Sequence, residues 1–103
     1  MELAANSSDE GGMKLVDIDL DDALRVALRT ETARSRLQEL ERSGRRGEMR
    51  RVFRWAAWKA WDWAQDLAME ADREIRWTLG GKALSGLSED GIIKALERRA
   101  VEI

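Results

Sequence analysis

Apolar and acidic positions alternate in KLVDIDLDD, residues 14 to 22, with Val16, Ile18 and Leu20 on one side and Asp17, Asp19 and Asp21 on the other. A period of two predicts a short strand or extended arm. A lone strand needs a partner, and a symmetry mate is the simplest one. The period then lengthens. Asp21 is a good N-cap for a helix reaching about Arg42, with Ser43 and Gly44 at its end. The apolar face of that helix is not straight. Leu20, Leu24, Ala27 and Leu28 share one side, whereas Ala33, Leu37 and Leu40 fall almost opposite. Either the helix breaks near Thr30-Glu31-Thr32, or its two halves pack on different neighbours.

A second helix is expected from about Glu48 to Leu79, stopped by Gly80-Gly81. At about 1.5 Å per residue it would be roughly 48 Å long. Met49, Phe53, Ala56, Ala60, Trp63, Ala64, Leu67, Ala71 and Ile75 make its apolar stripe. Residues 82 to 87 form a short connection. Ser88 then caps a third helix, whose apolar side carries Ile92, Ile93, Leu96 and Ala100. The expected fold class is all-α: a long antiparallel helical hairpin plus a short C-terminal helix, with a possible N-terminal strand or arm. Residues 1 to 12, small and acidic, are expected to be a disordered tail, and residues 13 to 103 a single helical domain.

Four tryptophans in WAAWKAWDW, residues 55 to 63, alter the picture. Trp63 lies on the apolar stripe and Trp61 on its edge, while Trp55 and Trp58 point away, on the side of Met69. The middle of the second helix is then apolar nearly all round, and a helix of that kind is buried on every side. One hairpin partner and one short helix give too little cover. The expectation is a homodimer whose interface holds Trp55, Trp58, Trp61 and Met69. A docking patch for another protein, a stacking platform for bases and a membrane anchor are the alternatives. Asp62, Asp66, Glu70 and Asp72 weaken the last.

Composition excludes much chemistry. The chain has no His and no Cys, so the usual zinc, copper and haem ligands, disulfides and His-based triads are impossible. No cofactor, metal or catalytic residue is expected, and no small-molecule substrate. The absence of proline favours helix. No apolar run of membrane-spanning length is present, and MELAANSSDEGG lacks the basic-then-apolar pattern of a signal peptide, so a cytoplasmic protein is expected.

Net charge is −2, but its distribution is uneven: residues 1 to 22 carry seven acids and one base, and residues 23 to 54 carry ten Arg and four acids. The basic block is densest in RSGRRGEMRRVFR, where Arg42, Arg45, Arg46, Arg50, Arg51 and Arg54 are candidates for phosphate contact. The competing expectation is that these arginines pair with the acidic arm, residues 9 to 22, of the same or another subunit; a basic protein-docking face is the third reading.

Other motifs fail on inspection. DIDLDD has acids at calcium-loop positions one, three and five, but Asp22 and Leu28 stand where Gly and Glu are required. GGKALS lacks the upstream Gly and the following Ser or Thr of a phosphate-binding loop. The order strand, helix, turn, helix resembles ribbon-helix-helix DNA-binding dimers. The outward strand residues here are Asp17 and Asp19, which phosphate repels, and the first helix is about twice too long, so the resemblance is not adopted. Residues 80 to 99, read as a helix-turn-helix, would present Glu89 and Asp90 to DNA, a poor surface.

The expected function is that of a non-enzymatic, small helical dimeric regulator that binds nucleic acid through the Arg cluster, largely independently of sequence. Its size and economy suit a virus or mobile element. The alternative is a protein-binding adaptor, inhibitor or assembly factor acting through the Trp/Arg helix face.

Overall fold

The computed structural model describes residues 15–71 and 73–103. The acidic tail expected at residues 1 to 12 lies outside them. The chain is mostly helical and elongated, 58 × 27 × 21 Å. In order it forms β1 (Leu15–Asp19), α1 (Leu20–Arg29), α2 (Glu31–Arg42), a 3₁₀ turn (Arg46–Glu48), α3 (Met49–Ala71), β2 (Glu74–Leu79), β3 (Lys82–Ala83) and α4 (Glu89–Glu102).

The expectation of an all-α fold is corrected by a three-stranded sheet of order β1-β2-β3. The alternating arm is a strand, but its partner is the same chain's β2. The two run parallel, with Val16 opposite Ile75 and Ile18 opposite Trp77. Residues 74 to 79 therefore do not continue the second helix. EIRWTL alternates with period two, placing Ile75, Trp77 and Leu79 towards the core and Glu74 and Arg76 towards solvent. The β-branched and aromatic residues of this segment suit a half-buried pleated surface. Gly80 and Gly81 (φ 62 and 81) close the β2–β3 hairpin instead of ending a helix. Two consecutive left-handed residues are what a two-residue type I′ turn requires.

The first helix breaks at Thr30. Its Oγ1 donates to Ala27 O at 2.8 Å, closing α1, and accepts from Ala33 N at 3.3 Å, opening α2. The break lets each half bury its own face: Leu20, Leu24 and Ala27 from α1, and Ala33 and Leu40 from α2. The N-cap of α1 is Asp19, whose Oδ1 accepts from Asp21 N at 3.0 Å. Asp21, expected to be that cap, is buried and does another job. It accepts Arg99 Nε and Nη2 at 3.0 and 3.1 Å, and Gly80 N at 3.2 Å. One carboxylate thus joins the β1–α1 junction, the β2–β3 turn and α4.

α3 is the central element, packed on α1, α2 and α4. Its inner side is lined by Ala56, Ala57, Ala60 and Ala64, all fully buried, and small residues allow close helix approach. The main core joins these to Leu20, Leu24, Leu79, Ile92, Ile93 and Leu96. A second, smaller cluster of Ala33, Leu40 and Val52, with Leu37 and Met49 against it, holds α2 to the start of α3. The buried face is rotated from the expected stripe towards Val52, Ala57 and Trp61, leaving Leu67 55% exposed.

Candidate nucleic-acid interface

The corner between α2 and α3 forms for local reasons. Ser43 is the C-cap of α2. Gly44 adopts a left-handed φ of 73°. Its N–H donates to Glu41 O at 3.1 Å, and Arg45 N–H donates to Leu40 O at 2.9 Å. That pair of bonds is the Schellman closure, which favours glycine at its left-handed position. The chain then passes through the 3₁₀ turn into α3. Arg42 on the last turn of α2, Arg45 and Arg46 at the corner, and Arg50, Arg51 and Arg54 on α3 are all exposed.

The structure divides these six. Arg45 lies 3.8 Å from Glu48, a loose pair at the corner. Arg50 and Arg54 instead face α4. They line an open groove of about 410 Å³ with Phe53, Lys94, Glu97, Arg98 and Val101. A smaller groove of about 240 Å³ is lined by Gly47, Arg50, Arg51, Arg54 and Glu97. Five cations therefore surround two adjoining grooves that share Glu97. Among the described residues, no carboxylate lies within ion-pair distance of Arg50, Arg51, Arg54 or Arg98, while Lys94 pairs with Asp90 at 3.4 Å. That pair is solvent-exposed, and such pairs are weak.

Lys94 and Arg98 are absent from the sequence-based candidates. Their i, i+4 spacing places them on one face of α4, a visible signal. Only the packing of α4 on α3 brings that face to the Arg50–Arg54 side.

The described acids of the arm have partners elsewhere. Asp17 takes a forked pair of bonds from Arg76, at 2.7 Å from Nε and 3.1 Å from Nη2. Hydrogen bonding to Arg76 holds the Asp17 carboxyl below its ordinary value, against a smaller opposing desolvation, and raises the Arg76 guanidinium in turn. Asp21 raises Arg99 in the same way, helped by Glu102. Asp22 pairs with Arg25 at 3.3 Å. The pairing expected between residues 9 to 22 and the Arg cluster is thus not what the described acids Asp17, Asp21 and Asp22 do.

The tryptophans also divide. Trp61 is only 5% exposed, packs on Trp77 with ring centroids 4.7 Å apart, and donates Nε1–H to Glu89 at 2.8 Å. Its cover comes from β2 and α4 of its own chain. Trp63 is half-buried against the core. Trp55 and Trp58 remain 37% and 41% exposed, and Met69 79%.

Among the described residues, no group of three or more acidic side chains is placed to hold a metal ion, and no helix is long and apolar enough to cross a membrane. No family model matches the chain, and no curated protein and no solved structure matches it.

Proposed function

We propose that the protein binds the phosphate backbone of nucleic acid through the α3–α4 grooves, with Arg50, Arg51, Arg54, Lys94 and Arg98 as contacts. Arg42, Arg45 and Arg46 extend the surface at the hairpin corner. The observation that supports this most is the convergence of cations from two elements distant in sequence on one open groove. Guanidinium groups offer forked donors to phosphate oxygens, and Arg50, Arg51, Arg54 and Arg98 have no carboxylate partner among the described residues. Acidic Asp90 pairs with Lys94, and Glu97 stands among the cations; contacts to the phosphate backbone position a protein without reading sequence.

Fluorescence anisotropy with a short labelled duplex tests this. Binding weakens steeply between about 50 and 200 mM salt, with a log–log slope of about −0.9 per phosphate, or about −4.5 if each of the groove cations meets one. Replacing Arg54 and Arg98 with Glu removes binding, while Lys82→Glu, at the exposed hairpin end, changes it little. Absence of binding at about 50 mM salt, or an unchanged affinity in the Arg54/Arg98 variant, overturns the proposal.

A further inference from the structure

We propose that the outward face of α3 is a self-complementary seam that pairs two copies of this chain antiparallel, with Arg51 against the partner's Asp62 and Trp55 against the partner's Trp58.

The face is defined by Arg51, Trp55, Trp58 and Asp62, all exposed. Their spacing of four, three and four residues keeps side chains in a straight line along a helix, as the a and d positions of a coiled-coil seam do. The opposite side of the same helix is filled by Ala56, Ala60 and Ala64, so intramolecular packing is already satisfied. Exposed tryptophans in the middle of a helix face are characteristic anchors of association surfaces.

Charge along α3 identifies the occupant. Along this face Arg51 precedes the two exposed tryptophans and Asp62 follows them, with Asp66 one turn on. A second α3 laid parallel sets like charge on like. Laid antiparallel, it sets basic on acidic at both ends and ring on ring in the centre. In antiparallel coiled coils an a position meets a d position of the other helix. The spacing here then pairs Trp55 with the partner's Trp58 and Arg51 with the partner's Asp62 in adjacent layers. Each pairing occurs twice about one two-fold axis, which is the condition for a closed, isologous dimer. Asp66, one turn on, comes opposite the partner's Arg45–Arg46 corner. Opposed helix dipoles add in the same direction. A face suited to an unrelated protein has no reason to carry its own complement in register.

Lys59 supports the line of the seam. Its Nζ lies 6.0 Å from the Trp55 ring centroid and 5.9 Å from that of Trp63, which holds this cation at the flank between an exposed and a half-buried ring. Arg50 and Arg54 lie on the α4 side of α3; Arg51 is shared with the nucleic-acid proposal, so the seam is tested without nucleic acid.

Charge reversal tests the pairing, measured by sedimentation velocity without nucleic acid from about 5 to 500 µM, a range set by the small interface. The wild type shifts from monomer to dimer with concentration. Arg51→Asp alone and Asp62→Arg alone keep their helical circular dichroism, but each raises the dimer dissociation constant by at least about tenfold, because each homodimer meets like charges in two layers. An equimolar mixture of the two variants restores a dimer containing one of each, since both charged layers are again opposite. The double variant Arg51→Asp/Asp62→Arg in one chain also restores a homodimer. A wild type monomeric throughout, single variants that dimerise like the wild type, or a mixture that stays monomeric overturns the proposal, the last two pointing to a different face or to a heterologous partner.

Discussion

Truncating Leu96 to alanine removes three carbons' worth of packing from the main core, where the side chain is fully buried among residues of α1, α3 and α4. Core Leu→Ala changes cost about 2–5 kcal/mol, set by how far the site collapses. Many members of that core are alanines or β-branched isoleucines, among them Ala57, Ala60, Ile92 and Ile93, whose side chains fill little of a gap. A cost of about 3.5 kcal/mol is expected, a large part of the roughly 5–15 kcal/mol that holds a domain of this size. Leu40 is equally hidden, at 1% exposed, but belongs to the small cluster at the hairpin corner. There Leu37 and Met49 are only partly buried and can swing into the space. About 2 kcal/mol is expected for Leu40→Ala, spent mostly on the corner. Urea denaturation followed by circular dichroism and tryptophan fluorescence separates the two. With a slope of about 1.5 kcal/mol/M, the Leu96→Ala midpoint falls by about 2 M in both signals together. In Leu40→Ala, helical signal is lost before fluorescence, because none of the five tryptophans belongs to the corner cluster. Coincident transitions in Leu40→Ala, with a loss equal to that of Leu96→Ala, would refute the division into two clusters.

Asp17 and Gly80 give further checks. Hydrogen bonding to Arg76 lowers the Asp17 carboxyl from its ordinary 3.8, so the folded state binds its proton less tightly than the unfolded chain. The pair therefore stabilises the fold above the ordinary carboxylate value, and that contribution disappears as pH falls through the lowered folded value. Asp17→Asn removes this part of the acid sensitivity: the gap between the urea midpoints of wild type and variant is open at neutral pH and closes in acid. An NMR titration of the Asp17 carboxyl carbon with its midpoint at the ordinary value contradicts this. Gly80 has a φ of +62° and donates its N–H to Asp21 at 3.2 Å. Gly80→Val costs about 1–2 kcal/mol of thermal stability through left-handed strain, whereas Gly80→Asn stays within about 0.5 kcal/mol, because Asn-Gly suits a type I′ turn. Equal losses in the two variants count against that turn.

Much of the fold is legible in local chemistry. The alternation at Val16 and Ile18, the turn of the apolar face at Thr30, the Ser43-Gly44 end of α2 and the Ser88 cap are each fixed by a few neighbouring residues. Residues 74 to 79 are not. Ala71 and Ile75 are four apart, so they prolong a helical stripe, while Ile75, Trp77 and Leu79 are two apart and build a strand. Six residues are too few for periodicity to decide, and Gly-Gly serves a helix end and a hairpin turn equally well. The deciding partner, β1, is 59 residues away at Asp17 opposite Arg76. That one misplacement propagates. With 74 to 79 on a helix, the middle of α3 lacks cover, and Trp61 falls to a second subunit. With them on a strand, Trp77 and the α4 residue Glu89 cover Trp61. The Arg cluster is legible as composition, but its division between the corner and the α3–α4 groove follows only from where α4 packs.

The two proposals share Arg51 and otherwise concern different sides of one helix, and this makes them separable. Net charge of −2 does not oppose binding to a polyanion, because a groove presents its local field and the acids Asp17, Asp21 and Asp22 are held against Arg76, Arg99 and Arg25. Arg51 is ambiguous: it lines the smaller groove and also stands on the seam, so its reversal weakens both functions. Asp62 is not ambiguous. It lies about two to three turns along α3 from the groove arginines, among the acids of the opposite end. Asp62→Arg therefore breaks the antiparallel pairing while leaving the groove cations in place. If polyanion binding resides in the groove of a single chain, this variant binds a short duplex as a monomer with little loss. If binding falls as the dimer is lost, the two grooves act together on one duplex, and their effective concentration for each other contributes to affinity.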